Sequence, residues 1–468
     1  MVFSSLTFLY IFLPLCLLFY FIVKDIRVKN IVLLIFSLCF YAYGEPKYIF
    51  LMVLTVLVDY ICGLLIDKYR GTKYSKLFLA VSAVITLSFL ALFKYADFFA
   101  ENVNSVFSVN IRPLGFSLPI GISFYTFQAL TYVADVYRGR VKVQRSFPKL
   151  LLYVSMFPQL IAGPIVRYSE VEKQLAERRT SIIGASSGIL RFSVGLLKKT
   201  LVANYAGELC SALLGDNLAK TSSLGAFAGI IAFTIQIYFD FSAYSDMAIG
   251  LGKIFGFDFP ENFNYPYTAK SVNDFWRRWH MTLSGFFRDY VYIPLGGNRK
   301  RWAVNMFTVW VLTGFWHGAS WNYLLWGLYY FFFLMLEKVY IGEGLKRIPS
   351  FIGRIYSLAV IIIGWAFFYF EDMGRLRLFF KDLFFANGFL SLSDRTVITN
   401  YLLVLIIGII FSLPIAKVFR NIGFKLSENK KGRIITGAVQ TAAVIICLLV
   451  STACLVGDSY NPFLYFRF

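Results

Sequence analysis

Long apolar runs alternate with short basic segments along the whole chain, and that alternation predicts a succession of membrane-crossing helices. Residues 2–23 carry no charge, and neither do residues 302–336. Such runs reach the ~20 apolar residues needed to cross a bilayer. The pattern predicts spans over residues 3–23, 31–44, 48–66, 77–95, 116–136, 186–214, 224–256, 355–370, 400–416 and 434–457. The first run lacks a basic leader and a small-residue cleavage site, so it reads as a retained span rather than a signal peptide.

Two further apolar stretches return to the side they started from. Residues 150–166 contain Pro158 and Gly163-Pro164, which break a helix and suit a re-entrant or kinked segment. Residues 302–336 have basic residues at both ends and are too long for one crossing, so a bend is expected near Gly314 and Gly318. Broken backbone at membrane depth is tolerated only where protein or a water-filled cavity surrounds it. His317, between those glycines, is therefore expected near the midplane beside a cavity. Residues 273–290 read differently. Trp276, His280, Leu283 and Phe287 recur on one helical face, with Arg277, Ser284 and Arg288 on the neighbouring strip. That pattern predicts a single amphipathic helix at the cytoplasmic interface.

The fold class is thus an all-α polytopic integral membrane protein, with broken helices and interfacial amphipathic helices. One polytopic domain is expected over residues 1–468, with residues 458–468 an extracytoplasmic aromatic tail. Hydrophobic residues make up 58% of the chain. The formal net charge is +20, yet the basic residues lie between apolar runs rather than on one soluble face, which argues against nucleic acid. They mark cytoplasmic loops. Basic loops at residues 24–29, 68–76, 138–149, 277–301 and 417–433 then place both termini outside. The six cysteines lie in apolar segments without Cys-x-x-Cys spacing, so they read as small core hydrophobes.

Chemistry is concentrated in two histidines, the only ones in the chain, each directly after a tryptophan. Imidazole is the side chain best suited to proton transfer near neutral pH. An ionisable group inside a membrane span is a functional candidate. With no acidic residue at helical spacing from His317, metal catalysis is not expected. Gly184-Ala-Ser-Ser-Gly188 matches a nucleophile elbow but lacks the strand that elbow requires. Asp59, Asp240 and Asp246 lie in or beside apolar runs and are read as hydrogen-bond partners of neighbouring helices rather than relay acids.

Several segments together resemble the membrane-bound O-acyltransferase (MBOAT) family, in its bacterial branch that O-acetylates alginate, peptidoglycan and other exported polysaccharides. They are Phe157-Pro-Gln-Leu-Ile-Ala-Gly-Pro-Ile165, Gly195-Leu-Leu-Lys-Lys199, Asn262-Phe-Asn-Tyr-Pro-Tyr267, Asp274-Phe-Trp-Arg-Arg-Trp-His280, Phe287-Arg-Asp-Tyr-Val-Tyr-Ile-Pro-Leu-Gly-Gly-Asn-Arg299 and Thr313-Gly-Phe-Trp-His-Gly318. Asn204 stands where relatives often carry Asp.

The resemblance implies a helical funnel with His317 as catalytic histidine and His280 as its partner. It implies acetyl-CoA or another acyl thioester as donor, no bound cofactor, an exported polysaccharide as final acceptor, and a secreted or membrane-anchored acetyltransferase as partner. Trp276, Arg277, Arg278 and Arg288 are the donor-path candidates. The tail, Tyr460-Asn-Pro-Phe-Leu-Tyr-Phe-Arg-Phe468, is similar to a C-terminal motif of this branch in which a tyrosine is proposed as transient acyl carrier; Tyr465 is the matching position. An aromatic interfacial anchor would explain the same composition. Alternatives are D-alanyl transfer to teichoic acid from a phosphopantetheine carrier protein and, in another class, a secondary transporter.

Overall fold

A computed structural model of the chain describes residues 1–384, 386–457, 463 and 464. All its elements among those residues are helical. Contacts group it into two compact units. The first comprises Met1–Phe192 and Ser245–Pro260, and the second Ser193–Tyr244 and Glu261–Leu464.

In the first unit, a π turn Phe8–Phe12 leads into α1 (Leu13–Ile22), followed by α2 (Ile26–Gly44), α3 (Ile49–Lys68), α4 (Lys73–Phe107) and α5 (Ile122–Tyr137). The apolar interior joins helices through a few polar contacts, because a polar group there must find a protein partner. Asp59 on α3 accepts from the hydroxyls of Ser82 and Thr86 on α4. Helix α4 runs past the expected end at residue 95, and Asp97 on its extension accepts the N–H groups of Leu114 and Gly115. Helix α5 starts later than the apolar run predicts. Pro119 precedes it, and Gly121 caps it in a left-handed conformation against the carbonyl of Leu160 that a side chain would strike.

Residues 150–166 are broken as expected. Helices α6 (Phe147–Ser155) and α7 (Phe157–Leu160) are short, buried, and followed by bends. Helix α8 (Tyr168–Glu177) ends beside the buried Arg178, which donates to the carbonyl of Phe255, to Tyr20 and to Asn30. The Gly184–Gly188 motif lies inside helix α9 (Ile182–Leu197), where Gly188 packs on the backbone of Gly250. No strand precedes it, so it builds no nucleophile elbow.

Helix α9 continues through a π turn, Lys198–Ala203, into α10 (Asn204–Leu214). Helix α11 (Ser223–Phe255) is buried over most of its length. The segment expected to be one amphipathic helix is not one. It forms α12 (Val272–Trp276), an irregular turn, α13 (Met281–Phe287) and a π turn Arg288–Tyr292. His280, the residue before α13, takes a left-handed conformation, φ +43°, so no continuous α-helix runs through it.

The apolar stretch 302–336 bends as expected. It forms a hairpin of α14 (Trp302–His317) and α15 (Trp321–Leu336), with the turn directly after His317. A side chain on Gly314 would lie 2.5 Å from the carbonyl of Tyr323, and one on Gly327 would strike the carbonyl of Trp310. Glycine at both points lets the backbones approach closely, as small residues do between membrane helices.

A π turn, Glu337–Ile341, joins α15 to α16 (Gly342–Arg347); then follow α17 (Ser350–Tyr369), α18 (Met373–Leu383), α19 (Leu392–Ser412), α20 (Ile415–Leu426) and α21 (Lys430–Gly457). Eight helical stretches among the described residues are long and apolar enough to cross a membrane. They correspond to α2, α3, α4, α11, α15 extended through Arg347, α17, α19 and α21.

Candidate active site

The second unit brings both histidines into one aromatic cluster. His317 is the last residue of α14 and is 4% exposed. Its ring packs edge-on against Trp326 of α15 at 4.9 Å and Phe368 of α17 at 5.2 Å, centroid to centroid. Asn322, at the start of α15, reaches the last carbonyls of α17 at Phe367 and Phe368, and so holds the end of that helix against the hairpin. The orphan carbonyls of a helix end need such partners when buried.

His280 is 1% exposed and sits between α12 and α13. Its ring lies 4.7 Å from that of Phe241 on α11 and 5.7 Å from that of Trp316. Trp316 in turn lies 4.8 Å from the ring of His317. One indole therefore separates the two imidazoles. Backbone strain of the kind seen at His280 collects at functional sites, and here it turns the imidazole away from a helical course into the protein.

The Nδ1 atom of His280 is 3.0 Å from Oδ1 of Asn262. That oxygen also accepts from the Thr282 hydroxyl at 2.9 Å. An amide oxygen can only accept, so Nδ1 of His280 carries its proton and the Nε2 lone pair points from the opposite edge of the ring. Burial holds the ring neutral, pushing its pKa down to about 3.

Two acidic residues position this region. Glu337, buried at the end of α15, accepts the backbone N–H groups of Val272 at 2.6 Å and Asn273 at 2.9 Å. These are the first donors of α12, which its carboxylate caps. Asp240 on α11 bonds Lys199 at 2.6 Å, and the pair is almost wholly buried.

The expected donor-path residues separate. Trp276 is half-buried, and its ring packs on Trp310, Trp326 and Tyr330. Arg278 is engaged by Asp274 at 2.8 Å, and Arg288 by Asp289 at 2.7 Å. Arg277 is exposed and makes no ion pair among the described residues. Tyr465 lies outside the described residues. The three apolar-run acids do bond neighbouring helices: Asp59 to α4, Asp240 to Lys199, and Asp246 to Arg191 at 2.9 Å.

Asn262, Trp316, Trp326 and Phe368 were not singled out from the sequence. Asn262 carried a partial signal, as one of two amides in the aromatic-rich run Asn262–Tyr267. Nothing in the sequence links Phe368 to His317.

The arrangement offers a neutral imidazole with a fixed tautomer, a second imidazole beside it, and a buried aromatic wall. Trp326 adds a buried indole N–H with no hydrogen-bond partner among the described residues. Buried donors of that kind call for an explanation.

Known proteins place these features in context. The model of the MBOAT, membrane-bound O-acyltransferase, family matches residues 35–343. The chain is 34% identical to the probable alginate O-acetylase AlgI of Pseudomonas putida over the full length of both. It is also 34% identical to the peptidoglycan O-acetyltransferase of Helicobacter pylori, over 83% of this chain and 80% of that protein. The chain is 31% identical to the teichoic acid D-alanyltransferase of Bacillus subtilis, over 53% of this chain and 66% of the relative.

Proposed function

The chain belongs to the membrane-bound O-acyltransferase family and is a multi-pass membrane acyltransferase, and from that premise we propose that it moves acetyl groups from a thioester donor towards hydroxyls of an exported polysaccharide. The observation that carries this reading is the pair of buried histidines on either side of Trp316. Similarity over the full length of an alginate O-acetylase and over about four-fifths of a peptidoglycan O-acetyltransferase, against about half of this chain for a D-alanyltransferase, favours acetyl as the group moved.

In this reading His317 acts as general base. The acceptor hydroxyl oxygen attacks the thioester carbonyl carbon while the imidazole takes its proton. The tetrahedral intermediate then expels the thiolate as the C–S bond breaks, and the imidazolium returns the proton to sulfur. The Trp326 indole N–H, on the ring that packs against His317, is the donor suited to the oxyanion. His280, with Nδ1–H committed to Asn262, offers Nε2 as acceptor on the donor side. The aromatic wall excludes competing water.

The donor is acetyl-CoA or another phosphate-bearing thioester, drawn to the exposed Arg277. Tyr465 is the transient acyl acceptor, and a separate transferase at the outer face completes delivery. The protein works in a bacterial plasma membrane with both termini outside.

The test is ester-linked acetate on surface polysaccharide in a deletion strain complemented with His317→Ala. Acetate should be lost while protein level and thermal stability are retained. Wild-type acetate would reduce His317 to a packing residue. Tyr465→Phe keeps the ring and removes the hydroxyl, so unchanged acetate in that variant would remove the carrier step alone.

A further inference from the structure

We propose that the buried Lys199–Asp240 ion pair is a dock for Phe463 and Leu464 near the C-terminus, holding these two residues inside the second unit beside the histidine cluster. The pair lies within the apolar interior, 3% and 2% exposed at the side chains. A buried pair is costly to desolvate and is by itself weak evidence for stability, so its other contacts matter. Asp240 spends one carboxylate oxygen on Lys199 and the other on the backbone N–H of Leu464, at 2.7 Å.

The preceding residue completes the dock. Phe463 is 1% exposed, lies under the Lys199 ammonium at 4.7 Å, and meets the ring of Tyr244 edge-on at 5.2 Å. A backbone amide and an aromatic ring of the tail are thus read by both members of the pair at once. This is not how an interfacial aromatic anchor sits, with its rings at the water boundary. Lys199 stands in the π turn between α9 and α10, a distortion frequent at functional sites. The next residue of α11, Phe241, carries the ring that packs on His280, so dock and histidine cluster share one stretch of helix. The next residue of the tail is Tyr465. Lys199 and Asp240 are positioning residues in the acyl-transfer reading, on which their consequence for turnover rests.

Hydrogen–deuterium exchange on the purified, detergent-solubilised full chain tests the dock without any turnover. The Leu464 amide should exchange ~10²-fold or more slowly than an open chain. Exchange at the open-chain rate in the wild-type protein would overturn the proposal, whatever any variant does. Lys199→Met with Asp240→Leu removes both charges together and leaves no uncompensated ion in the interior. That variant should release the Leu464 amide and admit carboxypeptidase past Phe463, whereas unchanged protection in a folded variant would also overturn the dock. For turnover, the same variant should lower kcat with donor KM unchanged. A protected amide with no acetyl transfer in the wild type would sink the proposed reaction and leave the dock standing.

Discussion

His280 donates Nδ1–H to Oδ1 of Asn262, 18 residues earlier in the chain, across 3.0 Å. The contact sets both the tautomer and the orientation of a ring that its own backbone already holds in a left-handed conformation. Asn262→Leu keeps the approximate volume and removes the acceptor. Loss of an orienting partner costs ~10–100-fold where the histidine ligates a metal. We expect that loss in kcat with [14C]acetyl-CoA as donor, with donor KM little changed. Full activity would mean that packing against Phe241 and Trp316 alone orients the ring.

A pH effect on stability follows from the burial of His280. Its pKa is lowered from 6.5 to about 3 in the folded protein. Below pH 6.5 the unfolded chain therefore binds a proton on this ring that the folded chain refuses. Stability present above that pH is lost progressively as the pH falls towards 3. His280→Gln should show a shallower decline of Tm with acidification than the wild type. Parallel curves would show that the ring is solvated and titrates normally.

Donor attraction should rest on Arg277 more than on its neighbours. Arg278 and Arg288 already face carboxylates. Arg277→Ala is expected to raise the apparent KM for acetyl-CoA by ~10-fold at low salt. The difference should shrink in 1 M salt, where the screening length falls to ~3 Å. An equal rise for Arg278→Ala at every salt concentration would point to a general structural effect instead.

The hairpin that carries His317 depends on Gly314. A Cβ there would lie 2.5 Å from the Tyr323 carbonyl, a backbone atom that cannot swing aside. Gly314→Leu should therefore force α14 and α15 apart, costing ~1–3 kcal/mol and lowering Tm together with activity. A variant that keeps both would show that the hairpin repacks freely.

The sequence by itself determined the membrane character, the approximate helices, the break after His317 and the family. Apolar length and helix-breaking residues are local properties, and hydrocarbon forces the backbone to satisfy itself within each segment. For the same reason Asp59, Asp240 and Asp246 were legible as bonded to neighbouring helices, since an isolated acid in that medium is too costly to keep. Helical periodicity misled at residues 273–290. There α12 ends at Trp276 and α13 begins only after the left-handed His280, whose tertiary bond to Asn262 outweighs the amphipathic pattern.

Only the tertiary structure decided which side chains meet. Phe368 reaches His317 because Asn322 ties down the end of α17, and Trp316 lies between the histidines because α14 ends where the strained turn at His280 begins its own helix. These contacts join residues as far as 51 apart, from His317 to Phe368, and up to 224 apart, from Asp240 to Leu464. No local propensity specifies such a pairing; it follows from how helices pack once each has formed.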